Sequence, residues 1–118
     1  MVEYYNGRLN RTFAMLGDPT RRAILARLRA GSSTVTELAE PFDVSLNAVS
    51  KHLRALEHAG LIRREIRGRE HHFFLQAMPL REAVEWMLEY RKFWERRLDA
   101  LDAFLKKKRA TKRLRGRR

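Results

Sequence analysis

Cysteine is absent from this sequence of 118 residues. Its absence excludes a disulfide framework, a thiolate metal site, redox sensing through a thiol and a cysteine nucleophile. Long apolar runs are absent as well: no stretch reaches the roughly 18 apolar residues of a membrane-spanning helix, and the N-terminal segment lacks the apolar stretch of a signal peptide. We therefore expect neither a membrane span nor export, and a cytoplasmic location.

Acidic residues are missing from the end of the chain. The sequence has 26 Lys and Arg against 14 Asp and Glu, a formal net charge of +12, and nine of those basic residues lie in 106–118. Because this run repels itself and has little apolar surface to bury, we expect one folded domain over 1–105 and a disordered basic tail over 106–118. The surplus of positive charge predicts a polyanionic partner, either nucleic acid or an anionic membrane surface.

Helix signals dominate the first half of the chain. Leu9, Phe13 and Leu16 share one helical stripe, which predicts a first helix over about 6–16. An N-cap acid followed by proline, Asp18-Pro19, begins a second helix that ends before residue 31. These two helices supply part of the core.

A fourth helix is predicted over 46–59. It follows a short third helix that a capping box at Thr34 and Glu37 opens, and Ser45 is its cap. A helical wheel places Val49, Leu53 and Leu56 on an inward face. The opposite face carries hydroxyl, amide and cationic side chains: Asn47, Ser50, Lys51, Arg54 and His58. Such groups contact base edges and phosphates, whereas a solvated face would mix Glu with Lys.

After residue 60 the apolar period changes to two. Two strands are predicted over 61–66 and 70–75, joined by a turn with Arg67 and Arg69 at its tip. Together with the preceding helices, this hairpin predicts a mainly α fold with a two-stranded β wing, a winged helix-turn-helix.

The longest predicted helix begins at Pro79 and carries an apolar stripe at heptad spacing through 105. The stripe has more apolar surface than so small a body can cover, so we expect a two-fold dimer formed through the terminal helices. The predicted interface residues come from the first and last helices: Leu9, Phe13, Leu80, Val84, Met87, Trp94, Leu98 and Leu101.

The sequence resembles the ArsR family of winged-helix transcriptional repressors in four segments: LGDPTRRAIL (16–25), TVTELAEPFDVS (34–45), NAVSKHLRALEHAGLI (47–62) and RGRE (67–70). The stretch YRKFWERRLDAL (90–101) is similar to a branch without metal-binding cysteines. The resemblance implies a homodimeric repressor that binds an inverted-repeat operator in double-stranded DNA and releases it when an inducer binds. The DNA-contacting positions that it implies lie on helix 46–59 and on the wing at 67–69: Ser45, Leu46, Asn47, Ser50, Lys51, Arg54, Arg67 and Arg69.

The sequence departs from the metal-sensing members of that family. It has Glu37-Leu38-Ala39 where such sensors carry a cysteine pair, and all four histidines precede Pro79, so that a site on the last helix cannot be built. We expect no metal site and no cofactor. We also expect no enzyme activity, because the few Asp, Ser and His residues are accounted for as caps, core or DNA contacts.

Two alternatives remain open. A sequence-tolerant, nucleoid-type DNA-binding protein would act mainly through the basic tail, with an affinity that depends on salt and hardly on sequence. An aromatic cluster on the last helix, at helical spacing, is either dimer core or a site for a small apolar inducer. Its members are Trp86, Tyr90, Phe93 and Trp94.

Overall fold

The computed structural model describes the backbone of residues 2–116 and the side chains of residues 7–113. Six helices and three strands occur in this range: α1 (Val2–Leu16), α2 (Pro19–Arg29), β1 (Ser33–Thr34), α3 (Val35–Ala39), α4 (Leu46–His58), β2 (Ile62–Arg67), β3 (Glu70–Leu75), α5 (Met78–Leu88) and α6 (Arg91–Gly116). The chain divides into two compact units, one up to Val84 and one from Glu85. The prediction of one folded domain over 1–105 stays a prediction.

The helices begin at the residues whose side chains can cap them. The Asp18 carboxylate accepts a hydrogen bond of 2.9 Å from the backbone N–H of Arg21 at the start of α2. Thr34 and Glu37 form both halves of the predicted capping box. The Ser45 hydroxyl accepts from the backbone N–H three residues further on, at 3.1 Å. Each contact satisfies an N–H group that a helix leaves unpaired at its first turn.

Two arginines at the start of α2 close the end of α1. The guanidinium of Arg21 donates from Nε to the Met15 carbonyl at 3.0 Å and from Nη2 to the Ala14 carbonyl at 2.9 Å. Arg22 donates to the Leu16 carbonyl at 2.6 Å. The last carbonyls of a helix have no partner within it, so these arginines satisfy them and hold α1 against α2. No pattern in the sequence indicates this role for either arginine.

The core of the first unit lies between α2, α3, α4 and the sheet. The predicted inward face of α4 is confirmed, because Val49, Leu53 and Leu56 are at most 1% exposed. They pack with buried residues of the other elements, including Ile24, Leu28, Leu38, Leu61, Ile62 and Phe73. Burial of one face fixes the rotation of α4 about its axis and leaves the opposite face to the surface.

The wing belongs to a three-stranded antiparallel sheet in the order β1-β3-β2. Its turn has Gly68 at a φ of 63°, a left-handed conformation that favours glycine. β1 pairs with β3 on the other side, with Ser33 opposite Phe73. The predicted two-stranded wing is present, and the two-residue β1 extends its sheet. So short a strand has no alternation from which a sequence pattern could be recognised.

The long helix predicted from residue 79 to 105 is interrupted, so this part of the prediction is wrong. The backbone N–H groups of Glu89 and Tyr90 donate to the carbonyls of Trp86 and Met87, three residues back, which tightens and ends α5. A new helical bond from Trp94 to the Tyr90 carbonyl then opens α6. No glycine or proline marks this break, and the heptad spacing runs through it without interruption.

The basic segment predicted to be disordered continues α6 as far as Gly116. Lysine, arginine and alanine are strong helix formers, and neither glycine nor proline occurs between Arg91 and Gly116. Lys106 forms an ion pair of 3.1 Å with Asp102, four residues earlier. The expected boundary after residue 105 has no counterpart in the secondary structure, and residues 117 and 118 lie outside the described part of the chain.

Candidate nucleic-acid interface

The polar side chains predicted on α4 share its outward face. Asn47, Lys51 and Arg54 are exposed, and Ser50 is half-buried beside them. We call these four residues the recognition face. Its hydroxyl, amide and cationic groups can donate to base edges and phosphates, and the amide can also accept. The structure thus brings together four of the six helix positions that the resemblance implied.

The other two predicted positions lie at the start of α4. Leu46 is exposed, and its apolar side chain can offer only van der Waals contact. The Ser45 hydroxyl is engaged as the N-cap through its bond to the Ala48 N–H. The cap keeps the first turn of α4 intact, and this is the turn from which helix-turn-helix proteins contact base edges.

α4 also meets the N-terminus of α2 through a histidine. The Nδ1 atom of His52, half-buried on α4, lies 4.0 Å from the Asp18 carboxylate. The hydrogen bond from the Arg21 N–H holds the pKa of Asp18 below its ordinary value, and the His52 ring acts in the same direction. His52 therefore has a structural partner in its own chain.

The outer face of the wing holds its arginines in a small network. Arg67 lies 3.7 Å from Glu65 and its guanidinium is 5.6 Å from the centre of the Phe74 ring. Arg63 lies 3.3 Å from the Glu65 carboxylate, and its guanidinium is 4.3 Å from the centre of the Phe74 ring. Arg69 is exposed next to the turn. Both predicted wing arginines thus lie at the exposed end of the hairpin.

The inner face of the wing contains a residue that sequence reasoning missed. Arg64 donates to the Glu57 carboxylate of α4 at 3.0 Å, lies 3.3 Å from His71 Nδ1, and has its guanidinium 5.3 Å from the Phe73 ring. These contacts connect β2 to α4. The strand alternation could have assigned Arg64 to the face of Phe73, but Glu57 is reached only through the tertiary fold.

The residues predicted for a dimer interface differ in how much surface they offer. Leu9 is 7% exposed in a single chain, so it has almost no surface left for a partner. Phe13 and Leu80 are half-buried. The remaining five are exposed, with fractions from 46% to 61%: Val84, Met87, Trp94, Leu98 and Leu101. Trp94, Leu98 and Leu101 form an exposed apolar stripe along α6 that is available for association, whereas Leu9 is buried within the first unit.

Metal-ligating side chains are scattered. Within residues 7–113, no three His, Asp or Glu side chains lie close enough together to hold a metal ion. His71 contacts Arg64, while the Nε2 atom of His72 lies 3.2 Å from Glu70 on the other face of the strand. Over the same described residues, no helix has both the length and the apolar composition needed to cross a membrane.

Comparison with known proteins assigns the family. A family described as a helix-turn-helix domain matches residues 16–65, from the end of α1 into β2. The transcriptional repressor SdpR of Bacillus subtilis is 34% identical over 82 residues, which are 70% of this chain and 91% of SdpR. The crystal structure of an ArsR family transcriptional regulator, RHA00566, is 41% identical, with a TM-score of 0.70 over 76% of this chain and 93% of that chain. The chain belongs to the ArsR family.

This ArsR-family protein is also similar to an ArsR-like transcriptional regulator from Rhodococcus sp. RHA1. The identity is 31% and the TM-score 0.65, covering 84% of this chain and 93% of that chain. The family and the winged helix-turn-helix fold expected from the sequence are thereby confirmed. The recognition face lies inside the matched segment 16–65, and the two wing arginines lie two and four residues beyond its end.

Proposed function

We propose that this protein is a homodimeric, sequence-specific repressor that binds an inverted-repeat operator through α4 and the wing. The observation that carries the proposal is the two-sided character of α4. Its inward residues are at most 1% exposed, while Asn47, Lys51 and Arg54 face outward with the groups that bind DNA. The name of the relative SdpR, a transcriptional repressor, supports the direction of regulation.

The recognition face provides both kinds of DNA contact. The Asn47 side-chain amide can form two hydrogen bonds with the edge of an adenine, and Lys51 and Arg54 can bind guanine or phosphate. Arg67 and Arg69 extend the positive surface to the wing. Ser45 and Leu46 complete the surface at the first turn of α4, the cap by fixing the backbone and the leucine by apolar contact.

The dimer is proposed to form through the exposed apolar stripe of α6, together with the exposed apolar side chains of α5. Two copies related by a two-fold axis would each cover the other's Val84, Met87, Trp94, Leu98 and Leu101. Large apolar side chains of this exposure are otherwise costly for a chain in water. A two-fold dimer also matches an inverted-repeat operator, because each subunit then binds one half-site.

The basic end of α6 is proposed to bind DNA phosphates without selecting a sequence. The side chains of residues 106–113 are all exposed. This segment also carries the second candidate function, a sequence-tolerant DNA-binding protein that works mainly through its positive end. The two candidate functions predict different DNA binding after the segment is removed: a repressor keeps its sequence preference, and a sequence-tolerant protein loses binding.

In vitro selection from a pool of random duplexes tests the proposal. Full-length protein should enrich an inverted repeat whose half-sites are centred about one helical turn, roughly 34 Å, apart. The control is a selection with the variant Asn47→Ala, which should enrich a degenerate or different half-site. A pool that stays random after repeated rounds with the native protein would contradict sequence-specific binding and favour the second candidate.

A further inference from the structure

A small cleft lies between α4 and the inner face of the wing, and we call it the wing cleft. Its volume is about 110 Å³. Ser50 and Arg54 of α4 form one wall, and Arg64 and His71 of the wing form the other. All of its polar lining residues in the described chain are hydroxyl, imidazole or guanidinium groups. The cleft therefore favours an anion.

We propose that the wing cleft binds one phosphate of the DNA backbone, with Arg64 and His71 as its main contacts. The proposal rests on the proposed function, because it requires that α4 and the wing both approach the same duplex. One sugar-phosphate strand separates the major groove of a duplex from the adjacent minor groove, so a helix in the major groove and a wing over the minor groove would have that strand between them. The cleft between α4 and the wing is where that strand would pass.

Arg64 is held in one position before any ligand arrives. The Glu57 carboxylate accepts from its Nη2 at 3.0 Å, and the Phe73 ring lies 5.3 Å from the guanidinium. The carboxylate orients the group without cancelling the charge of the cleft, since two guanidinium groups, Arg64 and Arg54, stand against one acid. A side chain that is already ordered loses less entropy on binding.

His71 has its hydrogen-bonding direction fixed by Arg64. The Nη1 atom of Arg64 lies 3.3 Å from His71 Nδ1. Because a guanidinium can only donate, Nδ1 must accept in this contact, and the neutral ring then carries its proton on Nε2. The Nε2–H group is a donor that a phosphate oxygen can use. Arg64 and His71 are thus a donor pair for one anion.

The cleft is large enough to hold a phosphate group. At roughly 30 Å³ per water molecule in the liquid, it has room for about four waters. A tetrahedral phosphate group with its oxygens is of that order, whereas a nucleotide is several times larger. The cleft therefore has room for one backbone phosphate.

Salt titration with a matched pair of variants tests the assignment. Arg64→Gln removes the charge from the inner face of β2, and Arg63→Gln removes the same charge from the outer face of the same strand. We expect Arg64→Gln to make the slope of log K against log salt shallower by roughly 0.9 for each phosphate that the variant no longer neutralises. Its affinity should fall about tenfold on both the selected operator and a random duplex, since phosphate contacts carry no sequence information. Arg63→Gln should keep the native slope.

Two further measurements keep the result decisive if Arg64→Gln perturbs the fold. His71→Gln leaves the Arg64–Glu57 bridge in place and should weaken binding to both duplexes a few-fold. With native protein, an operator carrying one neutral methylphosphonate at each backbone position in turn should show several sensitive positions, and one of them in each half-site should become insensitive in Arg64→Gln. Equal slopes for the Arg64 and Arg63 variants, or no such position, would overturn the wing cleft while leaving operator selection intact. Failure of the operator selection would instead contradict the proposed function, and the random-duplex slopes would still decide on the cleft.

Discussion

Replacement of Asn47 by alanine should reduce sequence discrimination while leaving the fold unchanged. Asn47 is exposed in the first turn of α4, and the core beneath it is formed by Val49 and Leu53. Exposed substitutions away from caps and buried partners usually change the free energy of unfolding by less than about 0.5 kcal/mol. A good two-bond contact between an amide and a base contributes about 1 to 3 kcal/mol of discrimination. Asn47→Ala should therefore weaken operator binding by roughly 5- to 150-fold.

Fluorescence anisotropy with the selected operator and a random duplex, at one salt concentration, measures this difference. Asn10→Ala is the matched control, because Asn10 is also an exposed asparagine on a helix, α1, but lies outside the recognition face. We expect Asn10→Ala to bind both duplexes as the native protein does, and Asn47→Ala to have a lower affinity for the operator only. An equal decrease on both duplexes would show that Asn47 contacts phosphate and does not read a base, which would refute the assignment.

Four further predictions concern association, charge and stability. Trp94→Glu should convert the dimer into a monomer in sedimentation equilibrium, because it places a charge in the apolar stripe. An unchanged dimer mass would contradict the assignment of α6 to the interface. Deletion of residues 106–118 should make the slope of log K against log salt shallower by roughly 0.9 for each phosphate that the segment neutralises, and it should leave sequence preference intact. Abolished binding would favour the sequence-tolerant alternative. Arg21→Ala should lower the free energy of unfolding, measured in urea, by about 1 to 3 kcal/mol, because it removes two hydrogen bonds from the carboxyl end of α1. Arg29→Ala, which replaces an exposed arginine of α2, should not lower it. The folded chain lowers the pKa of Asp18, so the contribution of this carboxylate to stability is present above the ordinary carboxyl pKa and is lost as the pH falls through the lowered value. Asp18→Asn should therefore flatten the decline of the free energy of unfolding at acid pH. An unaltered pH profile would contradict this role of Asp18.

Local signals were the features that the sequence could predict. A capping box, an N-cap and a buried stripe act within one helical turn or one face, so Thr34, Ser45 and the inward side of α4 are readable from spacing alone. The recognition face followed from the same wheel, because a helix buried on one side must expose the other. These elements fix the position of most of the candidate DNA-contacting residues.

Three features could not be predicted from the sequence. Arg64 and Glu57 meet because β2 returns along α4, and nothing in their spacing indicates it. The interruption at Glu89 and Tyr90 lacks a glycine or proline, so the heptad pattern predicted one continuous helix. At the basic end of the chain, charge repulsion predicted disorder, while the helix propensity of lysine and arginine extends α6. Two local tendencies conflict there, and composition alone does not decide between them.

The ratio of operator affinity to random-duplex affinity, measured with the full chain at physiological salt, tests sequence-specific binding most directly. A repressor that reads bases through the recognition face should bind its selected operator at least about a thousandfold more tightly than a random duplex. Truncation of the basic end should lower both affinities and preserve most of that ratio. A ratio below about ten in the full-length protein would contradict the proposed function and identify the chain as a sequence-tolerant DNA-binding protein.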